Sequence, residues 1–212
     1  MHVLVIGANG GVGRRLVDHL VAADHRVRAM VRDPDQGPAL REAGAEVVLG
    51  DLEGELDEAF EGVEAVAFCA GSGAATGADK TLLVDLHGAV RTVDACARHG
   101  IGRYLMLSSI AADDPMRGLE KLRHYLAAKH AADRILMASD LDWTVVRPGG
   151  LTDDAGTGHV AVGVPRLPER GTIPRDDVAA VMARCLDDPR SHGAVFELVS
   201  GETPVDAVPG AL

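Results

Sequence analysis

Cysteine is scarce in this chain of 212 residues: Cys69, Cys96 and Cys185 are odd in number and far apart. They offer neither a disulfide framework nor a paired CxxC metal knuckle, so three core thiols in a reducing, cytoplasmic setting are expected. Basic charge is also short. The 21 Lys and Arg against 32 Asp and Glu leave a formal charge of −11. That balance argues against nucleic acid, whose phosphates demand a basic patch, and against an anionic membrane surface. No apolar run reaches the roughly 20 residues that span a bilayer, and the opening MHVLVIG predicts no secretion signal. The stretch 148–172 lacks aromatic side chains, which weakens the case for a stacked aromatic ligand there. What is present, 47% hydrophobic and 25% charged residues, is enough to build an ordinary folded core.

Short apolar runs at 3–6, 27–31, 47–49, 65–70, 103–107, 143–146 and 195–199 alternate with stretches of helical period. Most are β-branched or leucine-rich without polar alternation, as parallel strands buried on both faces require. Between them, Leu16, Val17, Leu20 and Val21 share one helical face, as do Leu82, Leu83, Leu86, Val90 and Val93. Further helices are predicted over 119–138 and 175–186. The alternation implies right-handed βαβ units in a doubly wound sheet of order 3-2-1-4-5-6, with a seventh strand at the edge. Loops at 71–77 and 111–118, and a Gly- and Pro-rich stretch at 148–172 read as a cap, all begin at the carboxyl edge, where such sheets bind ligands.

After the first strand stands Gly7-Ala-Asn-Gly10-Gly-Val-Gly13-Arg14. Glycine at 7, 10 and 13 permits a tight turn whose N–H groups reach a pyrophosphate at a helix N-terminus, and Gly13 permits close helix–strand packing. Lying between a strand and a helix, the turn is where a dinucleotide site belongs. The residues assigned to it are Gly7, Asn9, Gly10, Gly11, Val12, Gly13 and Arg14. NAD-preferring proteins usually place an acid at the end of the second strand, where this chain has Arg32. Guanidinium suits a 2′-phosphate, because its planar fork binds phosphate at two points and stacks on adenine; Arg14 would add a second charge. Asp33 is the competing candidate, for if it points inward it binds the ribose itself. The expected cofactor is NADP(H), with NAD(H) second.

Beyond the turn come VRD at 31–33, GDL at 50–52, CAGSG at 69–73, LSS at 107–109 and RPGGL at 147–151. Over nearly the whole chain this set resembles the extended and atypical short-chain dehydrogenases/reductases. It is most similar to the compact NAD(P)H-binding proteins related to biliverdin-IXβ/flavin reductase and to bacterial epimerase-like oxidoreductases. The resemblance implies that Asp51 and Leu52 contact the adenine and that Ala70 and Gly71 pass the cofactor's ribose and phosphates. Ser108 and Pro148, at strand ends, are counted with them.

Tyr125 and Lys129 stand four apart in the third helix, on one face, and Ser108 and Ser109 end the fifth strand at the same sheet edge. A carbonyl that receives hydride needs a proton donor, and a phenol serves if its pKa of about 10 is lowered. A neighbouring ammonium favours the phenolate and could also hold the nicotinamide ribose. The chain has only two tyrosines and three lysines, which argues against a chance YxxxK. The arrangement resembles the superfamily's catalytic apparatus, with Ser109 hydrogen-bonding the developing alkoxide. Asp153 and Asp154 have no nearby His or Cys, so no metal is expected. Arg147 reads as an anchor for the cap, and Asp176 with Asp177 as helix N-terminal charges.

The fold expected is a single Rossmann-type domain over 1–212, with about seven strands and a small C-terminal cap. The function expected is an NADPH-dependent oxidoreductase moving hydride to a small-molecule carbonyl, quinone or flavin, as a monomer or homodimer. Two alternatives stay open: a non-catalytic NADP(H) redox sensor, and an epimerase or dehydratase that retains NAD⁺.

Overall fold

The computed structural model describes residues 1–73 and 76–212; Ala74 and Ala75, in the predicted 71–77 loop, lie outside the described residues. The strands β1 (His2–Ile6), β2 (Arg26–Val31), β3 (Glu46–Leu49), β4 (Ala65–Phe68), β5 (Arg103–Leu107) and β6 (Asp142–Pro148) are all parallel. They run in the spatial order β3-β2-β1-β4-β5-β6. Their apolar runs follow from this placement, since helices cover both faces of the sheet. Successive side chains point to opposite faces. Val3 and Val5 of β1 enter one core with Leu16, Val17 and Leu20 of α1 (Gly11–Ala22) and Val178, Val181 and Met182 of α6 (Arg175–Asp187). Leu4 and Ile6 enter the other, with Val93 and Cys96 of α4 (Ala89–His99) and Leu136 of α5 (Arg123–Met137). A short α2 (Gly37–Glu42) joins β2 to β3.

Two sequence expectations need correction. The seventh strand, β10 (Ala194–Ser200), pairs parallel with β6 but is not the edge. Part of the expected cap is sheet: β7 (Gly150–Thr152) pairs with β9 (Thr172–Pro174) in a separate two-stranded sheet. Between them in sequence, β8 (His159–Gly163) adds antiparallel to β10, and β11 (Thr203–Pro204) pairs with β8 at the edge. Short strands interrupted by Gly and Pro carry too little periodicity to be read from sequence. The second correction concerns the apolar face at 82–93. The stretch from α3 (Ala78–Lys80) to α4 is wound as a π-helix over Thr81–Gly88. The extra residue per turn rotates Leu82 and Leu83 to solvent and turns Thr81, Asp85 and Gly88 inward.

On the sheet face toward α6, Arg103 is buried with no carboxylate partner among the described residues. Its guanidinium instead donates to the carbonyls of Asp142, Cys185 and Leu186 and to the Thr144 and Ser191 hydroxyls, at 2.6–3.3 Å. Burial pushes its pKa down to about 10, which still leaves it charged at neutral pH. Two of those carbonyls end α6, so the cation sits on the negative end of the helix dipole. Arg103→Met would keep the volume and leave several buried acceptors without donors. It should lower the unfolding free energy by about 3 kcal/mol or more, read as a fall in urea midpoint at unchanged slope; a loss under 1 kcal/mol would contradict this role.

Candidate functional site

The glycine turn joins β1 to α1 by close backbone approach. Gly7 has φ +80°, and a Cβ there would fall 2.7 Å from the Ala70 backbone at the end of β4. A Cβ on Gly13 would fall 2.2 Å from the Gly7 carbonyl. Only glycine lets strand ends and helix meet so closely. The Gly10 amide donates to the Gly7 carbonyl at 2.9 Å, and Gly10, as N-cap, has no side chain to satisfy the first-turn N–H groups of α1. The positive end of α1 is therefore open to an anion.

Two cavities meet at this turn, sharing Gly10, Cys69, Ala70, Gly71, Ser72 and Thr76. The smaller, about 340 Å³, lies beyond β1 to β4, walled by Ile6, Met30, Val31, Leu52 and Val84 with Asn9, Arg32, Gln36, Asp51 and Lys80. The larger, about 680 Å³, lies beyond β4 and β5 and reaches Val12, Leu107, Ser108, Leu122, His124, Tyr125, Lys129, Leu151 and Arg175. A two-part crevice with a backbone waist has the outline of an extended dinucleotide. The residues present thus fit such a group: space on either side, and uncapped N–H groups between.

Arg32 is exposed and lines the smaller cavity. The Asp33 carboxylate accepts from the Asp35 amide at 2.9 Å, capping a 3₁₀ turn instead of facing that cavity. Asp51 likewise accepts from the Glu53 amide at 3.0 Å while still lining the cavity. Arg14 is exposed and folds back on Asn9, so it positions the turn and lines neither cavity.

At the floor of the larger cavity Lys129 is 2% exposed. Its Nζ stands 3.4 Å from Asp85 Oδ1 and donates to the Leu107 and Ala70 carbonyls at 3.2 and 3.4 Å. It also lies 5.7 and 5.9 Å from the ring centres of Phe68 and Tyr125. Burial acts most strongly on Lys129 and pulls its pKa down. Tyr125, Asp85 and Asp133 together outweigh it and hold the ammonium above the usual lysine range. A second buried pair adjoins the first. Asp133 Oδ2 accepts from the Ser108 hydroxyl at 2.8 Å and from Arg147 at 2.9–3.0 Å. Burial holds the Asp133 carboxyl above the usual carboxylate range against the pull of Arg147 and Ser108.

The structure brings Ser108, Tyr125 and Lys129 together around the larger cavity. Ser109 is not with them: its hydroxyl turns to the Ile110 carbonyl at 3.3 Å and lines neither cavity. Pro148 is buried at the end of β6, accepting from the Ile110 amide, and also lines neither. Arg147 grips Asp133 and not the cap; the cap is held instead by buried Asp177, which accepts from the Thr157 and Gly158 amides. Cys69, expected in the core, is half-buried and lines both cavities. Burial pushes its thiol up to about 12. Sequence reasoning missed Asp85, Asp133 and Arg175. Asp133 had a signal, standing four residues beyond Lys129 on the Tyr125 face; Asp85 stood alone in an apolar run.

Known proteins resemble the chain over its full length. It is 46% identical over 209 residues, 97% of each chain, to a Bacillus subtilis protein named as the uncharacterized sugar epimerase YhfK. A solved Bacillus halodurans structure, titled a putative NAD-dependent epimerase/dehydratase, superposes with a TM-score of 0.98 at 46% identity, covering 100% of both chains. The anaerobillin reductase ChuY of Escherichia coli O157:H7 superposes with a TM-score of 0.80 at 25% identity, over 94% of this chain and 97% of that one. The family model described as NAD(P)H-binding matches residues 7–189, from the glycine turn through both cavities and the buried lysine. The chain belongs to that NAD(P)H-binding family.

Proposed function

We propose that this protein is an NADPH-dependent oxidoreductase that reduces a carbonyl, quinone or flavin of a small molecule. One observation carries the reading: a single crevice has a guanidinium-lined pocket at one end and a buried lysine beneath a tyrosine at the other. When bound, the dinucleotide would supply the hydride; the rest falls to the chain. The uncapped N-terminus of α1 would receive the phosphate charge, and Met30, Leu52 and Val84 would wall the adenine. Arg32 would meet a 2′-phosphate, since Asp33 is occupied by the Asp35 amide. Lys129, held charged by Tyr125, Asp85 and Asp133 together, would position the ribose, and Tyr125 beside it would be the acid for the substrate oxygen. The Ser108 proton is committed to Asp133, so polarising that oxygen falls to Tyr125, and Ser108 offers lone pairs only. The placement of Ser108 on the cavity favours it over Ser109 as the serine of the site.

The printed name of ChuY supports a reductase reading, while two relatives at 46% identity carry epimerase names. An epimerase would use the same Tyr125 and Lys129 with retained NAD⁺. Against it, β8, β10 and β11 extend the main sheet, so these strands among the described residues after Gly150 build the core and not a separate sugar-binding lobe. Protein that purifies with tightly held NAD⁺ would overturn the reductase proposal in favour of the epimerase.

Cofactor choice rests on Arg32. A charge-assisted hydrogen bond contributes roughly 1.5–3 kcal/mol, and about 1.4 kcal/mol is tenfold in affinity. The wild type should bind NADPH at least tenfold more tightly than NADH, less so as salt rises, and Arg32→Asp should reverse the order. Dissociation constants for both cofactors on both proteins decide this; an NADH preference in the wild type would point to Asp33.

Chemistry rests on Tyr125. Tyr125→Phe should reduce turnover of a carbonyl substrate by about 100-fold or more and leave the NADPH dissociation constant nearly unchanged. Turnover at the wild-type rate would move the reading to flavin or quinone reduction, in which the protein supplies little acid–base help.

A further inference from the structure

Arg175 opens α6, a position where the helix dipole disfavours a cation. It also sits far in sequence from the glycine turn, yet its side chain lies directly against it. A Cβ built on Gly11 would fall 2.7 Å from Arg175 Cδ and 2.8 Å from Nε. A side chain at Gly11 would displace the flexible Arg175 arm, whereas at Gly7 and Gly13 it would meet backbone. This contact sets a guanidinium beside the uncapped first turn of α1, and Arg175 lines the larger cavity next to the shared waist.

The partner that Arg175 holds is weakly placed. Its Nη1 stands 3.0 Å from Oδ1 of Asp153, whose side chain is 77% exposed, while Arg175 is 26% exposed. Arg15, one residue past the first turn of α1, reaches the same oxygen at 3.7 Å. An exposed ion pair of this kind contributes at most about 1 kcal/mol. A phosphate anion at the helix N-terminus would offer a doubly anchored alternative, with the guanidinium fork on one side and backbone N–H groups on the other.

We propose that Arg175 is an anion clamp for the dinucleotide: its guanidinium exchanges the Asp153 carboxylate for the phosphate bridge over the N-terminus of α1. The assignment rests on the NADP(H) reading above and adds a residue contributed by the C-terminal half of the chain. Asp153 then serves as the stand-in anion of the free protein and competes with the cofactor.

Calorimetric titration of the full-length protein tests this with two ligands: NADPH, and adenosine 2′-monophosphate, which has the 2′-phosphate but no pyrophosphate. Arg175→Gln should weaken NADPH binding roughly ten- to hundredfold and leave adenosine 2′-monophosphate binding unchanged. Arg175→Lys should recover part of the loss, since charge is kept and the fork is lost. Asp153→Asn should move the other way, tightening NADPH by about two- to fivefold as the competing carboxylate disappears. Thermal melting should find all three variants folded. NADPH affinity unchanged in Arg175→Gln would overturn the clamp, as would an equal loss for both ligands or an Asp153→Asn protein that binds NADPH no more tightly. Wild-type protein that binds neither ligand would instead bring down the NADP(H) reading itself, and the clamp with it.

Discussion

Four buried charges cancel one another beneath the carboxyl edge of the sheet, and the site is organised around that cancellation. Lys129 faces Asp85, and Arg147 faces Asp133, each 8% exposed or less at the side chain. Removing an ion from water costs several kcal/mol even after relaxation, so none of the four could stay without its partner. The pairs also set positions. Lys129 cannot satisfy Asp85 and the Ala70 and Leu107 carbonyls unless α5 lies close against the ends of β4 and β5. Asp85 can point inward only because the π-helical winding turns its part of the chain that way. Arg147 joins the end of β6 to the same helix through Asp133, which in turn fixes the Ser108 hydroxyl. What looks like a catalytic apparatus is also the electrostatic closure of the fold.

The same economy of placement marks the glycine turn. Gly7 and Gly13 are required by contacts within the chain, backbone against backbone, before any ligand is considered. The result is an α1 whose first turn has no cap and whose positive end opens on a crevice. Structure and recognition share one cause: the packing that excludes side chains from the turn is what leaves its N–H groups free. Arg32 and Asp33 are neighbours of opposite charge, and a local 3₁₀ cap occupies the acid while the guanidinium lines the smaller cavity.

Much of this was legible in the amino-acid order. Unalternated β-branched runs require strands covered on both faces, and GANGGVG between a strand and a helix requires a tight, side-chain-free turn. Those patterns determined the parallel 3-2-1-4-5-6 sheet, the crevice at its carboxyl edge, and Tyr125 one turn from Lys129. Tertiary structure decided the rest. The short strands after Gly150 are strands only because each finds a partner in the fold, β8 on β10, β11 on β8, and β7 and β9 on one another, so no local period marks them. Ser108 and Ser109 are equivalent in a list of residues, and only the pleat turns one to the cavity and the other to the Ile110 carbonyl. Asp85, Asp133 and Arg175 acquire meaning from partners dozens of residues away or from a non-α winding. Local sequence sets what a segment can be; burial and long-range charge pairing set what each polar side chain must face.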